Sequence, residues 1–406
     1  MTVRPVFEPL EDRIVLDGDP TVMITGPAQV DIGQQDVPLT LTFSNPDAEG
    51  DPGFAPYVDL ILPDTGIDGD DGITFDSATF LGTTLTPTIV VFDAAGEAEH
   101  PLAVDTNGDP IIVSGNPGDS LVVFDLPYGS FTAGQPAVDI EVLVDISPDA
   151  DLNAGLAISA NGGFALGCDE LDNPSTDPST LGASETLTLT PQLFTVSKIN
   201  DIPEEEAATG PNFIYRHTLT VDVADGQTLD DFTLTDTLPT NYVYVGSPVI
   251  NGGTGATIVS EPPIGPVVAG DDTLEVFFDS ITGTATVTFA FWIADVGSGG
   301  GPNVIDPATG DDVPESNTVN GTGSWTPTDA DDATLAVSDS ATDTFNVVSL
   351  AIQKSQAIID DQNVAGLSPD DTVEFTLEIQ VSDYFTYDGL GLLDRQGHHV
   401  ERVRGA

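Results

Sequence analysis

The 406-residue chain carries 67 Asp and Glu against 8 Lys and Arg, a formal net charge of -59, with one cysteine and 39% hydrophobic residues. That charge excludes nucleic acid and anionic lipid as partners, because binding a polyanion needs clustered cations that displace counterions. The hydrophobic share is too high for a disordered acidic tail, the length gives room for two to four domains, and a lone cysteine, Cys168, excludes a disulfide framework, a zinc ribbon and a dithiol redox site.

Residues 1–20 form a leader. Within it "FEPLEDRIVLDGDP" at 7–20 sets Arg13, with Arg4 just upstream, ahead of an apolar patch at Ile14, Val15 and Leu16. This resembles the LEPR-XLL motif that opens many very large repetitive exoproteins of Gram-negative bacteria, although Asp12 stands where that motif has proline. The resemblance implies a large surface or secreted protein. No run approaches 18 consecutive apolar residues, so no transmembrane helix is expected, and export would use an unusual N-terminal signal or a C-terminal one.

Beyond the leader, Thr and Val alternate in short runs divided by Gly, Pro, Asn and Asp, the pattern of half-buried antiparallel strands and their turns. "LTLTFSN" at 39–45, "HTLTVDV" at 217–223 and "FTLEIQV" at 375–381 read as one strand seen three times. A second strand follows each, at 57–64, 231–239 and 387–394, and a long apolar strand comes later in the first two copies, at 137–146 and 284–295. Amphipathic helices are absent. The expected architecture is all-β: tandem immunoglobulin-like β-sandwich domains at 21–190 and 191–346, and an incomplete third repeat at 347–406. That third repeat ends in a basic tail, Leu393 onward, holding Arg395, Arg402, Arg404, His398 and His399, whose composition fits a truncation or a shifted reading frame better than a metal site.

Between Ile14 and Asp394 only Lys198, Arg216 and Lys354 are basic, and both lysines fall at the same repeat position, "FTVSKIN" and "LAIQKSQ". Here the residues resemble the isopeptide-forming repeat domains of pilins and fimbrial adhesins, in which a first-strand lysine attacks an asparagine on a late strand beside a buried acid. The resemblance implies Lys198 as the nucleophile, Asp236 in "LTDTLP" as the promoting acid and Asn317 in "ESNTVNGTGSW" as the acceptor, with Asn320 in reserve one register step away. Burial favours this chemistry, since desolvation lowers a lysine pKa toward the neutral nucleophile and raises that of a carboxyl. A lysine that snorkels from a strand start, or pairs with a surface carboxylate, is the plain alternative. The first repeat has "TVMITGP", around Met23, and offers no amine; in the third, Lys354 and Asp394 match but no asparagine follows.

Two loops present oxygen-rich spacing suited to calcium: Asp64, Asp68, Asp70 and Asp71 before Gly72, and Asp105, Asn107 and Asp109 in "DTNGDP". Neither completes an EF-hand, and solvated acidic turns are the simpler reading. His100 and His217 are expected at strand edges, and Trp292 and Trp325 in sandwich core. No catalytic motif of a hydrolase, nucleotide binder or metalloprotease is present, so no enzyme is expected. Two roles stay open. One is a structural stalk or adhesin segment at the cell surface or outside a bacterium. The other is a calcium-dependent module binding a protein or glycan of a host or neighbouring cell, with Phe54, Tyr57 and Tyr128 as candidates for its aromatic patch, although core or turn packing is the simpler reading of these three. No cofactor is required in the first, and no defined oligomer is expected in either.

Overall fold

In the computed structural model, the described residues are 18–166 apart from positions 49, 68, 70 and 153, together with 178–295, 313–329, 333–360 and 372–384. The leader patch, Cys168, Asp68, Asp70, Asp394 and the basic tail lie outside them. The chain divides into two compact units, residues 1–193 with 327–330, and 194–326 with 331–406.

The principal strands of the first unit are β1 (Thr21–Thr25), β2 (Val37–Ser44), β3 (Pro56–Leu62), β4 (Ile73–Phe80), β5 (Thr88–Val91), β6 (Glu97–Val104), β7 (Pro110–Ser114), β8 (Ser120–Asp125), β9 (Val138–Ile146), β10 (Leu156–Phe164) and β11 (Glu185–Gln192). One sheet has the order β1–β2–β9–β4, and the other β11–β10–β3–β8–β5, with Gln29–Asp31 added in parallel to β11. Strict alternation along β2 turns Val37, Leu39, Leu41 and Phe43 inward, and the rings of Phe131 and Phe164 meet Phe43 edge-on at 5.1 and 5.8 Å. β3 departs from alternation and is buried on both faces. The cause is a second apolar cluster on its other side, where Tyr57, Leu121 and Val123 pack with Ala98 and Ala103 of β6.

The second unit repeats the plan with β12 (Phe194–Asn200), β13 (Tyr215–Val223), β14 (Leu229–Thr237), β15 (Tyr242–Asn251), β16 (Thr257–Ser260), β17 (Thr273–Ile281), β18 (Thr284–Ile293), β19 (Val313–Trp325) and β20 (Leu335–Val348). Its sheets run β12–β13–β18–β15 and β20–β19–β14–β17–β16. The three copies of the repeated motif are β2, β13 and the last strand of a hairpin formed by β21 (Leu350–Asp360) and β22 (Thr372–Val381), and each pairs antiparallel with the strand before it. Trp325 is core, its indole N–H donating to Gln227 Oε1 at 3.0 Å.

The all-β sandwich architecture is therefore the one read from the pattern of strands and turns. Because Phe43 holds two aromatic neighbours, Phe43→Ala should destabilise the first unit by about 3–5 kcal/mol, measured by chemical denaturation.

Candidate functional site

Alternation along β12 turns Phe194, Val196 and Lys198 into the second sandwich, with Asn200 half-buried on the same face. A lysine on that face is 5% exposed, and its Nζ lies 2.5 Å from Asp236 Oδ2, with both side chains fully enclosed. Asp236 occupies the inner face of β14 beside Leu234. It stands opposite Val319 of β19, so Asn317, 2% exposed, is the adjacent inward-pointing residue on that strand and a diagonal neighbour of Asp236. Lys198, Asp236 and Asn317 thus share one interior. Asn320 has the opposite parity and is exposed on the outer face, which removes it as the reserve partner.

The polar atoms of this cluster are incompletely matched. Asp236 Oδ1 and both side-chain atoms of Asn317 are buried without a hydrogen-bond partner among the described residues. An unsatisfied buried polar atom costs about 1–3 kcal/mol, so two on one asparagine form a costly arrangement. Burial holds the Lys198 ammonium below its ordinary range, against the attraction of Asp236 and Asp343. The walls are aromatic: the Phe289 ring centre lies 5.8 Å from Nζ, while Phe291 stacks on Tyr242 at 4.3 Å and on His217 at 4.5 Å.

Both histidines expected at strand edges are buried instead. His217 is fully enclosed, with Nδ1 3.2 Å from Asp343 Oδ2 and Nε2 3.2 Å from the Tyr242 hydroxyl, and burial keeps it below the usual imidazole range. In the first unit, His100 accepts the backbone N–H of Leu102 and Ala103 at Nδ1, and its Nε2 lies 3.3 Å from Asp59 Oδ2. Tyr57, a candidate for an exposed patch but read more readily as core or turn packing, is core and packs on His100 at 4.8 Å. Tyr128 is half-buried against Phe80 and Phe131, and Phe54 is half-buried, so these three do not form an exposed aromatic platform.

Register identifies what the first unit places at the equivalent positions. Ile24 faces Leu41 as Lys198 faces Leu219. Leu60 precedes Pro63 by the same spacing as Asp236 precedes Pro239, and Leu60 faces Ala160 as Asp236 faces Val319. Ile158 then corresponds to Asn317, and Leu187, which faces it, to Asp343. The first unit fills the site with Ile24, Leu60, Ile158 and Leu187. On the hairpin, Lys354 faces Leu377 as Lys198 faces Leu219, but it is exposed and lies 4.5 Å from the Phe375 ring centre.

The acidic loops are organised by their own hydrogen bonds. Asp105 Oδ1 accepts the N–H of Asn107 and Asp109 at 2.7 and 3.0 Å, and Oδ2 the Asn107 amide at 3.0 Å, contacts that hold its carboxyl below the ordinary range. Asp64 accepts from the Ser120 hydroxyl, and the neighbouring Asp119 accepts from Thr65 and Asn116. No group of three or more His, Cys, Asp or Glu side chains able to hold a metal occurs among the described residues.

No protein-family model matches the sequence, and no curated protein matches it. Among solved structures, the chain is similar to the major pilin subunit BcpA of Bacillus cereus at 8% identity, covering 94% of this chain and 91% of that one with a TM-score of 0.28. The major pilin SpaD of Corynebacterium diphtheriae matches at 11% identity, 86% and 71% coverage and a TM-score of 0.26. The MSCRAMM ACE of Enterococcus faecalis matches at 11%, 82% and 96% with 0.21. Superpositions this loose carry no argument about what this chain does.

Burial raises the Asp64 carboxyl to about 6, opposed by the Ser120 hydrogen bond and reinforced by Asp119. A carboxyl raised in the folded state contributes stability that is complete below the unfolded value near 3.8 and lost as pH rises through about 6. Thermal unfolding should show the first unit losing stability between about pH 4 and 7, and Asp64→Asn should flatten that window.

Proposed function

We propose that the chain is a structural stalk or adhesin segment of a bacterial surface or secreted protein, whose second sandwich locks itself with an amide bond between Lys198 and Asn317. The observation that carries this reading is the enclosed Lys198–Asp236 pair beside a buried asparagine whose amide has no partner among the described residues.

The chemistry follows from the placement. A charged pair in a dry interior bears a desolvation cost of several kcal/mol per ion, which transfer of one proton from Nζ to Asp236 Oδ2 removes. The neutral amine attacks Asn317 Cγ, and the Asp236 proton goes to the amide oxygen. The tetrahedral adduct collapses as the Cγ–Nδ2 bond breaks: one proton from Nζ passes through the Asp236 carboxylate to the departing nitrogen, and the hydroxyl proton of the adduct returns to Asp236 as the carbonyl re-forms. One ammonia leaves, Nζ keeps one hydrogen as the amide N–H, and Asp236 ends protonated, holding the proton that the ammonium gave up.

The bond would tie the first strand of the sandwich to its penultimate principal strand across more than a hundred residues, constraining the unfolded chain by about 5 kcal/mol in the loop-entropy account of cross-links. A protein with a single cysteine gains from it what a disulfide would supply elsewhere. The reading treats the chain as a spacer rather than an enzyme, with its partner a protein or glycan on a host or neighbouring cell.

Intact mass of the 406-residue chain tests the proposal. The wild type should weigh one ammonia less than its sequence, and Lys198→Ala and Asp236→Ala should each return to the calculated mass; a wild type at full calculated mass would overturn it. In urea, Asn317→Ala should unfold its second unit with about 5 kcal/mol less stability than wild type.

A further inference from the structure

We propose that Asp343 is a positioning residue of this site: the Nδ2 and Oδ1 atoms of Asn317 make no hydrogen bond among the described residues, and in the reacting state the Asp343 carboxylate opposite takes the Nδ2 end, turning the amide oxygen toward Asp236 and presenting the carbon to Lys198. The inference rests on the crosslinking reading of Lys198 and Asn317.

An asparagine side chain has two ends of similar size and opposite hydrogen-bonding character, and only one orientation suits attack. Asn317 lies on β19, between β14 and β20 in the sheet. It is a diagonal neighbour of Asp236 on one side and directly opposite Asp343 on the other. The asparagine is therefore bracketed by two inward carboxyl groups on its flanking strands.

The two brackets differ in what they offer. Asp343 is fixed through one oxygen, since Asn200 Nδ2 donates to Oδ2 at 2.7 Å and His217 Nδ1 lies 3.2 Å from the same atom, which leaves Oδ1 for a further partner. Partial burial alone would raise its carboxyl, but the contacts from His217 and Asn200 and the nearby Lys198 hold it below the ordinary range. It remains an anion, which accepts hydrogen bonds and cannot donate them, and so suits the NH2 end. Asp236, once it carries the lysine proton, donates and suits the oxygen end. A pair of acids with opposite protonation thereby sets the amide orientation and places the leaving nitrogen next to a negative charge.

A second observation supports the assignment independently. The first unit replaces the whole group together: Ile24, Leu60, Ile158 and Leu187 occupy the places of Lys198, Asp236, Asn317 and Asp343, and Leu39 that of His217 in the repeated motif. Asp343 and its histidine are present where the lysine, acid and asparagine are present, and apolar where they are not.

The test follows ammonia loss by intact mass during cell-free synthesis of the full chain. Asp343→Asn, whose amide can hold Asn317 in the wrong orientation, should slow the loss about 10²-fold, the scale of a misplaced reacting group, and Asp343→Glu should recover part of the rate. A wild-type rate in folded Asp343→Asn would overturn the proposal. A second measurement does not need that variant to fold. In Lys198→Ala chain labelled with 15N-asparagine, the Asn317 side-chain NH2 should show nuclear Overhauser contacts to the β-protons of Asp343, and contacts to those of Asp236 instead would also overturn it. If the wild type loses no ammonia, the crosslinking reading falls, whereas the amide contacts still report separately on the orientation assigned to Asp343.

Discussion

Enclosing an ammonium and a carboxylate at 2.5 Å inside an aromatic-walled sandwich sets the character of the second unit. Water is excluded from the pair, so its charges are retained at a cost unless a proton moves or the lysine is consumed. The features around it answer to that constraint. Phe289 and Phe291, turned inward by alternation along β18, and Tyr242 at the start of β15 keep the interior dry, and the late strand β19 brings an amide alongside. The unmatched atoms of Asn317 and Asp236 are then the reactants of the proposed locking step, and the same step releases the strain of burying them.

The contrast between the two units separates scaffold from chemistry. Both hold the same central strand order, and both pair the repeated motif with the strand before it. The first unit fills the interior with aliphatic side chains and needs no crosslink to match its polar groups there. Its unusual polar cluster, Tyr57, Asp59 and His100, lies on the other face of β3 under the β6–β7 hairpin. One framework thus supports an apolar core in one copy and a buried polar cluster in the next, and the difference is carried by about five inward positions.

Much of this is legible in the sequence because a β-strand has a period of two. Lys198 shares parity with Phe194 and Val196, which is enough to mark it as inward. The same rule applied to Val319 and Gly321 selects Asn317 over Asn320, and applied to Phe345 and Val347 it selects Asp343. His217 shares parity with Leu219 and Val221, so its burial follows from the same period. What parity cannot supply is a second buried face. His100 and Tyr57 are enclosed because a hairpin folds over the outside of β3, a long-range event whose local sign is the continuous burial of Pro56–Leu60. The acidic turns show a different limit, since spacing alone does not reveal that Asp105 spends its oxygens on the N–H groups of its own loop.

The most direct measurement is fragmentation mass spectrometry of the digested wild-type chain. A branched peptide joining the segment that holds Lys198 to the segment that holds Asn317, one ammonia lighter than the two together, is the predicted result. Recovery of both segments only as separate linear peptides, with Asn317 still an unmodified asparagine, would contradict the account.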